Sequence, residues 1–533
     1  MAPATRNPKH CDWGGITWGH YTSKDGIQWT HDDDGPVLQP SETYDQCGIF
    51  TGCLIPSELR PRDEPGHLII LYTSAADLPI NWALPYTRNS EGLAMATSAD
   101  GGRTWTKSAN NPILAGEPEG IVVTGWRDPF VAKWPALDRA RGILADETLY
   151  GIISGGIKNS GPALFLYTVA TNDVSHWEYL CPLVHIAEGS FKPTRWTGNY
   201  GVNWECGNFL TLGESDDKRS FMLIGSEGGV KSVAENGANV YGSWLLWMSG
   251  ELTQTNDGPR LVPKVFGLLD HGMFYAAASY EHPVTKQRIV WGWLKEDTLA
   301  LKHREAKGFA GYQGLPRELY LLVISDVVGA LSSPLHEIDS LVVKDNDKDG
   351  TKIITTLGIR PLPSLESLRR GEPICFNNLT GNTTYLTTCR FPSFELEAVI
   401  RIVPTGQHQR VGFNLRHNDD LSRQLAVYFE VQTETIVLDR SQTNVEDGMP
   451  RDELPGPFTL LKQTNGWETL RLRIFGDGDT IEIFANDRFA LSAVAYLDAR
   501  YTGISGFVEG EGDAQSVVFE SIKIWDDMAS CTV

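Results

Sequence analysis

Short runs of apolar residues, each bounded by turn residues, dominate the first 330 positions of the chain. Their lengths and their many β-branched and aromatic residues predict strands, while helical periodicity is almost absent. The runs that predict strands are residues 67–74, 148–156, 163–171, 220–227, 243–250 and 288–294. Many short strands separated by Gly, Pro, Asn and Asp predict a sandwich, a barrel or a propeller.

A repeated turn favours the propeller. Residues 23–29, 98–105 and 171–177 share one pattern, and their aspartates Asp25, Asp100 and Asp173 are 75 and then 73 residues apart. In each copy a Ser or Thr leads into a tight turn, the Asp can accept bonds from backbone N–H groups, and a Trp packs beneath. Repeats at constant spacing indicate propeller blades. Residues 247–253 resemble a fourth, degenerate copy.

Beyond residue 330 the pattern changes. Residues 331–365 are mixed and turn-rich, which predicts a linker. From residue 366 onward apolar and polar positions alternate in runs at 394–402, 410–417, 426–441, 470–486 and 516–525. Such alternation predicts an antiparallel sandwich with one wet face on each sheet. We therefore predict an all-β chain with a propeller at 1–330, a linker at 331–365 and a β-sandwich at 366–533.

Length and charge limit the number of domains and the classes of binding partner. A chain of 533 residues is too long for one domain with a single hydrophobic core. The net charge of −21 argues against nucleic acid and anionic membranes as partners, because both bind clustered Lys and Arg. No run approaches the roughly 18 apolar residues of a membrane-spanning helix. Residues 1–15 lack the apolar segment of a secretory signal. This predicts a cytoplasmic protein, or a secreted one if the start of the chain is incomplete.

The eight cysteines form no CxxC or Cys/His zinc pattern, so no metal site is expected. Cys375 and Cys389 could close a short disulfide loop under oxidising conditions. Asn378 and Asn382 lie in that loop and begin N-glycosylation motifs. The alternative, which we favour, is free thiols in a cytosolic protein.

Three segments of the first domain could carry chemistry. Residues 125–130 hold Arg127 and Asp128 before a proline, a charged pair that could also be a purely structural ion pair. Residues 203–208 place Glu205 after a Trp, and burial against an indole raises a carboxyl pKa towards that of a general acid. A structural glutamate paired with an arginine would give the same pattern. Residues 44–53 place Phe50 and Thr51 at a Gly-rich turn. Paired carboxylates in an aromatic pocket are the groups that cleave glycosidic bonds.

The order of these motifs resembles that of glycoside hydrolase family 32. The matching motifs are Asn7-Pro, Trp13-Gly-Gly-Ile-Thr-Trp-Gly-His, Phe50-Thr-Gly, Arg127-Asp-Pro, Glu205-Cys, Asp270-His-Gly-Met-Phe-Tyr, Trp291-Gly-Trp-Leu-Lys-Glu and Gly311-Tyr-Gln-Gly-Leu-Pro-Arg-Glu, then residues 438–441 and 481–486. They span nearly the whole chain and are nearest to the fungal sucrose-acting branch. The resemblance implies a five-bladed β-propeller followed by a β-sandwich. It also implies retaining cleavage of β-fructosyl bonds of sucrose or fructans, with or without fructosyl transfer.

The resemblance further implies roles for single residues. Glu205 would protonate the leaving oxygen and later activate the acceptor, and Asp128 would hold furanose hydroxyls and stabilise the oxocarbenium-like transition state. The substrate-binding residues would be Arg127, Trp13, Phe50, Thr51, Cys206 and, on the leaving-group side, Glu296. This chemistry needs only carboxylates, so no cofactor is expected, and the partner would be a small sugar or an oligosaccharide. Edge strands of the sandwich offer a surface for a homodimer.

The sequence departs from the family at the nucleophile, an Asp in an Asn-Asp-Pro motif that the residues before Trp13 do not contain. Asp12 adjoins the matching Trp, so its position does not fit that role. Without a nucleophile the barrier would rise by roughly 4–8 kcal/mol, and the first blade would be incomplete. Three interpretations follow: a fructosidase with an incomplete start, a pocket that binds sugar without cleaving it, or a scaffold recruited for non-hydrolytic chemistry in fungal specialised metabolism. We favour an enzyme, because the motifs around Asp128 and Glu205 are intact.

Overall fold

A computed structural model describes most of the chain. The described residues are 4–5, 15–31, 35–55, 66–144, 148–187, 189–214, 217–233, 239–346, 350–381, 383–389, 393–406, 408–510 and 516–529. Two compact units divide the chain. The first unit comprises Met1–Phe266, Ala276–Ala278 and Cys531–Val533, and the second comprises Gly267–Tyr275 and Ser279–Ser530.

The described residues up to Asp270 form antiparallel sheets made from consecutive strands. The strands are β1 (Ala4–Thr5), β2 (Thr17–Trp18), β3 (Tyr21–Ser23), β4 (Trp29–His31), β5 (Gly48–Leu54), β6 (Leu68–Ala75), β7 (Glu91–Ser98), β8 (Thr106–Lys107), β9 (Val123–Lys133), β10 (Leu149–Ile157), β11 (Gly161–Val169), β12 (Trp177–His185), β13 (Asn203–Leu212), β14 (Arg219–Val233), β15 (Asn239–Thr255) and β16 (Gly258–Asp270), with helix α1 (Pro135–Ala140) between β9 and β10. Strands β5–β8, β9–β12 and β13–β16 each form a four-stranded sheet, and β1 pairs with β2 and β3 with β4.

Apolar side chains fill the space between neighbouring four-stranded sheets. One cluster joins Leu71 and Leu93 of the β5–β8 sheet to Trp126, Val131 and Phe165 of the β9–β12 sheet. A strand that is covered on both faces has apolar residues at successive positions. This explains why polar and apolar residues do not alternate in the sequences of β10 and β11.

The repeated turn is confirmed, and it always joins the last two strands of a sheet: β3 to β4, β7 to β8 and β11 to β12. Asp25 accepts hydrogen bonds from the backbone N–H groups of residues 27 and 28 at 2.8 Å each. Asp100 accepts one from Thr104, and Asp173 one from Ser175. The expected fourth copy is wrong, because residues 247–253 lie inside β15 and form no turn.

The described residues from 274 onward form one eight-stranded sheet and a sandwich. Their elements are β17 (Phe274–Glu281), β18 (Arg288–Leu294), α2 (Leu301–Lys307), β19 (Tyr312–Gln313), β20 (Arg317–Ala330), β21 (Val342–Asp345), β22 (Lys352–Pro361), β23 (Ile374–Leu379), β24 (Thr383–Thr388), β25 (Phe394–Ile402), β26 (Gln409–His417), β27 (Leu425–Glu430), β28 (Thr435–Asp439), β29 (Glu453–Pro457), β30 (Leu461–Gln463), β31 (Gly466–Trp467), β32 (Leu470–Asp477), β33 (Thr480–Ala485), β34 (Phe489–Val494), β35 (Gly503–Gly510) and β36 (Val517–Trp525), with 3-10 helices at Leu335–Glu337 and Pro363–Leu368. No helix of the described residues has the length and apolar character needed to cross a membrane.

Two six-stranded sheets form the sandwich. Their strand orders are β23-β36-β25-β32-β33-β34 and β24-β35-β26-β27-β28-β29. Alternate residues such as Leu396, Ile474, Phe413 and Phe429 turn inward and share one core. The alternation seen in the sequence therefore marks inner and outer faces.

Two expectations need correction in the second unit. Residues 331–365 are not a turn-rich linker, since β22 pairs with β20 and β21 along their lengths. The run 426–441 is broken by a turn at Glu434, whose φ is 51°. The favoured alternative for Cys375 and Cys389, free thiols, is what the structure has: Cys375 lies in β23, and Cys389 follows β24, which belongs to the other sheet.

Candidate active site

Bulges interrupt the first strand of each four-stranded sheet where the predicted site residues lie. The register shifts by one residue between Ile49 and Gly52 in β5, opposite Ser154 and Ile152 in β9, and between Glu205 and Asn208 in β13. A bulge bends its strand and re-aims side chains, and bulges are frequent at active sites. The predicted site residues therefore lie at equivalent positions, the bulge in the first strand of each four-stranded sheet.

Backbone strain marks two of these bulges. The φ angles of Asp128 and Cys206 are 63° and 50°, in the left-handed region that most side chains avoid. Such strain costs about 1–3 kcal/mol per residue and clusters at functional sites. Next to Cys206, Gly207 has no room for a side chain, since a Cβ there would lie 2.8 Å from Ser154 Oγ.

Arg127 is the centre of the site and is almost fully buried. Its Nη1 donates to Glu91 at 3.0 Å, its Nε to Glu205 at 2.9 Å and its Nη2 to Glu227 at 3.0 Å. Gly125 makes room for this guanidinium, because a Cβ at that position would lie 2.5 Å from Nη1. One arginine thus gathers carboxylates from β7, β13 and β14.

Asp128 lies beside this cluster and is also buried. Its backbone N–H donates to Thr73 Oγ1 at 2.7 Å, and its Oδ2 accepts the backbone N–H of Cys206 at 2.9 Å. Burial, followed by the negative charge of Glu205, raises the pKa of Asp128 to about 7. The bulges of β9 and β13 therefore place the Asp128 and Glu205 carboxylates close enough to interact.

The environment of Glu205 differs from the expected one. Its neighbour Trp204 is fully buried and donates from Nε1 to the Tyr200 carbonyl at 2.9 Å. Successive residues of a strand face opposite sides, so the indole packs away from the carboxylate. Arg127 forms the environment of Glu205 instead, and about one fifth of the Glu205 side chain is exposed.

Two acidic residues of the site were missed by the sequence analysis. Glu91 is fully buried and bridges Arg127 and the backbone N–H of Trp126, the latter at 2.8 Å. Glu227 accepts from Asn203 Nδ2 at 2.9 Å as well as from Arg127. Both stand in the tripeptide Ser-Glu-Gly within an apolar strand region. That repeated signal, a lone glutamate beside glycine in a buried strand, could have identified them.

The charges of the site do not balance. Burial and then the charge of Glu205 raise the pKa of Glu227 to about 7, as they do for Asp128. Burial disfavours the charged form of Arg127, but the carboxylates of Glu91, Glu205 and Glu227 outweigh it and hold its pKa above the ordinary value. One fixed cation therefore faces an excess of acidic groups, which can keep a shared proton near neutral pH.

Cys206 and Thr51 line the same site. The Cys206 thiol lies 3.5 Å from Asp128 Oδ2 and bonds to the Thr51 side chain. Burial and the nearby Asp128 raise the pKa of this thiol, so it remains a donor. Phe50 is half-buried in β5, and its carbonyl accepts the indole N–H of Trp18 at 3.1 Å. Trp13 lies outside the described residues.

Glu296 belongs to the second unit, where it is buried. Its carboxylate accepts from Lys307, from the Tyr496 hydroxyl and from the backbone N–H of Gly311. Its place on the leaving-group side stays a prediction. No group of three or more His, Cys, Asp or Glu side chains suited to a metal ion occurs among the described residues.

Comparison with known families decides the lineage. Residues 5–330 match the model of the glycosyl hydrolases family 32 N-terminal domain, and residues 364–526 match that of the family 32 C-terminal domain. The chain belongs to glycosyl hydrolase family 32. Family 32 membership was the resemblance drawn from the motifs, and it is confirmed.

Solved structures agree with this family 32 assignment. An Aspergillus kawachii beta-fructofuranosidase complexed with glycerol superposes with a TM-score of 0.86 at 28% identity, covering 97% of this chain and 89% of that one. A fructosyltransferase from A. japonicus gives 0.82 at 25%, with coverages of 97% and 89%. Beta-fructofuranosidase 1 of Zea mays is 25% identical over 549 residues, 97% of this chain and 74% of that protein. The predicted fold, a β-propeller followed by a β-sandwich, is confirmed.

Proposed function

We propose that the chain is a glycosidase that cleaves β-fructosyl bonds of sucrose or fructans, passing the fructosyl group to water or to a sugar hydroxyl. The observation that supports this proposal is that Asp128 and Glu205 lie together beside Arg127. The acidic groups of this cluster outnumber its single arginine. Membership of family 32 and the beta-fructofuranosidases and fructosyltransferase among its relatives support the substrate class.

Glu205 is suited to act as the acid and base. Its side chain is partly exposed, while Arg127 Nε fixes one carboxylate oxygen at 2.9 Å. In the first step Glu205 gives its proton to the bridging oxygen as the C–O bond breaks; that oxygen keeps the electron pair, and the fructosyl ring is left as an oxocarbenium ion. In the second step water or a sugar hydroxyl bonds to the same carbon from the face that the leaving group vacated, and the Glu205 carboxylate takes its proton. Retention of configuration is the outcome that family 32 membership implies.

Asp128 is suited to stabilise the transition state. Its Oδ2 is held by the Cys206 backbone, whereas Oδ1 accepts no hydrogen bond from the described residues. A furanose hydroxyl can bind there, and the negative charge lies beside the positive charge that develops on the sugar ring. Because the bulge and the Thr73 contact fix the Asp128 backbone, little reorganisation is needed.

Release of fructose from sucrose, inulin and levan tests the proposal. Glu205→Gln keeps the size of the side chain but cannot supply a proton, so we expect turnover about 10²–10⁴-fold below wild type. Glu251→Gln, an exposed glutamate of β15, is the matched control and should keep wild-type turnover. If wild type releases no fructose, or if Glu205→Gln keeps full turnover, the proposal is wrong. Quenching of Trp fluorescence by sugar without turnover would instead favour the sugar-binding alternative.

A further inference from the structure

A groove of about 430 Å³ opens on the sandwich, away from any role assigned above. It is lined by Tyr385, Thr388, Asp419, Arg500 and Tyr501, over a floor that includes His417. Its size lies within the range of small-molecule sites, roughly 300–1,000 Å³. Aromatic rings and charged groups therefore share one concave surface.

Tyr385 is exposed yet fixed in place. Its relative exposure is 58%, its hydroxyl bonds to Thr388 Oγ1, and its ring stands edge-on to His417 at 6.2 Å between centroids. His417 is itself fixed, with Nε2 2.7 Å from Ser505 Oγ and Nδ1 2.8 Å from a backbone carbonyl. The absence of a side chain at Gly503 admits this ring, since a Cβ there would lie 2.5 Å from His417 Cε1. A supported aromatic face exposed to solvent binds flat apolar ligand surfaces at little entropic cost.

Charged groups line the groove beside this ring. Arg500 uses Nε and Nη2 to bind Asp498, at 3.0 Å and 2.6 Å, so Nη1 keeps its donors. Asp419 is exposed and follows Asn418, whose side chain is tied to Ser422 at 2.9 Å. A donor and an acceptor beside a fixed aromatic face match a sugar, which has hydroxyl groups on its rim and C–H groups on its faces.

We propose that this groove is a second, non-catalytic carbohydrate site, which holds a stretch of β-fructan chain on the Tyr385 ring while Arg500 and Asp419 bind its hydroxyls. The choice of a fructan rests on the proposed function. The site itself rests on the supported Tyr385 ring and on the charged groups that line the groove. Such a site raises the local concentration of a polymeric substrate without taking part in bond cleavage.

Native gel electrophoresis in the presence of inulin or levan tests this proposal. All proteins carry Glu205→Gln, so that the polysaccharide is not consumed and any binding at the catalytic cluster is the same in every lane. We expect the polysaccharide to slow migration, with Tyr385→Ala binding about tenfold more weakly. Tyr385→Phe is the matched control: it keeps the ring and should keep the affinity. Asp419→Ala should weaken binding in the same direction.

The outcomes separate the two proposals. Equal retardation of the Tyr385→Ala variant and its parent, or no retardation of either, overturns the second site whatever the enzyme does with sucrose. Retardation by dextran that also depends on Tyr385 overturns the assignment to fructans. A protein that carries Tyr385→Ala alone, with Glu205 intact, should release fructose from sucrose at the wild-type rate. A failure of wild type to release fructose contradicts the proposed function but leaves the gel test of the groove intact.

Discussion

Two buried arginines, Arg127 in the first unit and Arg317 in the second, lie among carboxylates but in different electrostatic surroundings. Arg317 donates from Nη1 to Asp270 and from Nη2 to Glu482, both at 2.9 Å. The three side chains are between 0% and 3% exposed, and the Phe274 ring centroid lies 3.5 Å from the guanidinium carbon. This cluster is sealed from solvent and holds two acids for one base.

The Arg127 cluster is open and carries more acid. Three carboxylates bind one guanidinium, two of them are about one-fifth exposed, and Asp128 adds a fourth acidic group. A sealed ion pair only satisfies buried charges, whereas an open cluster with surplus acid can exchange a proton with a ligand. Exposure and the ratio of acids to bases, more than the presence of a buried arginine, therefore separate a structural site from a chemical one.

Removal of Arg317 should have the largest effect, on stability. Arg317→Leu leaves Asp270 and Glu482 buried without a counter-ion, and we expect the free energy of unfolding to fall by about 3–5 kcal/mol. Urea denaturation followed by Trp fluorescence measures this loss. Arg360→Leu is the control, because that arginine is 40% exposed in its pair with Glu318 and such pairs contribute about 0–1 kcal/mol. Equal losses for the two variants would contradict the structural role of the Arg317 cluster.

Asp128→Asn should have the next largest effect, on turnover. The amide cannot stabilise a positive transition state, so we expect fructose release to fall about 10²–10³-fold. At high pH the same substitution should lower turnover but raise the stability of the folded protein. The raised pKa of Asp128 means that its stabilising contribution is present below pH 3.8 and is lost as the pH rises through about 7. Asparagine has no such loss, so at pH 8 the variant should unfold at a higher temperature than wild type in calorimetry.

Asp100→Asn is the matched control for the direction of this stability change at pH 8. Hydrogen bonds from Thr104 hold the pKa of Asp100 below its ordinary value, so its contribution is present above pH 3.8. At pH 8 this variant should unfold at a lower temperature than wild type and keep wild-type turnover. The same direction of change in both variants would count against the assigned environment of Asp128.

Gly125→Ala should have the smallest of these effects. The added methyl group would lie 2.5 Å from Arg127 Nη1 and 2.9 Å from Asn203 Oδ1, so the guanidinium must move. We expect about a tenfold loss of kcat from the displaced carboxylates. Gly329→Ala is the control, since a Cβ there meets no atom within 4 Å. Turnover of Gly125→Ala equal to that control would show that the position of Arg127 is not critical.

Much of the fold was predictable from the sequence, because strand runs and the repeated Asp turn are local signals. The runs at 394–402 and 288–294 coincide with β25 and β18, and the turns at Asp25, Asp100 and Asp173 formed as expected. The linker was mispredicted because β22 is held by pairing with a strand that precedes it by about 30 residues. Pairing over such a distance leaves no mark in local composition.

The site was predictable where a motif carried it. Arg127, Asp128 and Glu205 stand in short distinctive segments, whereas Glu91 and Glu227 are brought to Arg127 only by the register of β7 and β14. The mistaken role of Trp204 has the same cause: proximity in sequence suggested contact, but strand alternation separates the two side chains. The positions of the bulges could not be predicted from the sequence either, since they depend on the partner strand.

The pH dependence of kcat/KM for fructose release from sucrose, compared between wild type and Glu227→Gln, tests the central claim most directly. That claim is that surplus acid around Arg127 keeps a shared proton near neutral pH. Asp128 must be ionised to stabilise the transition state, so wild type should gain activity as the pH rises through about 7. Glu227→Gln removes one negative charge, which makes Asp128 easier to ionise, so this acidic limb should move to lower pH. An acidic limb that stays in place, or that moves to higher pH, would contradict the account.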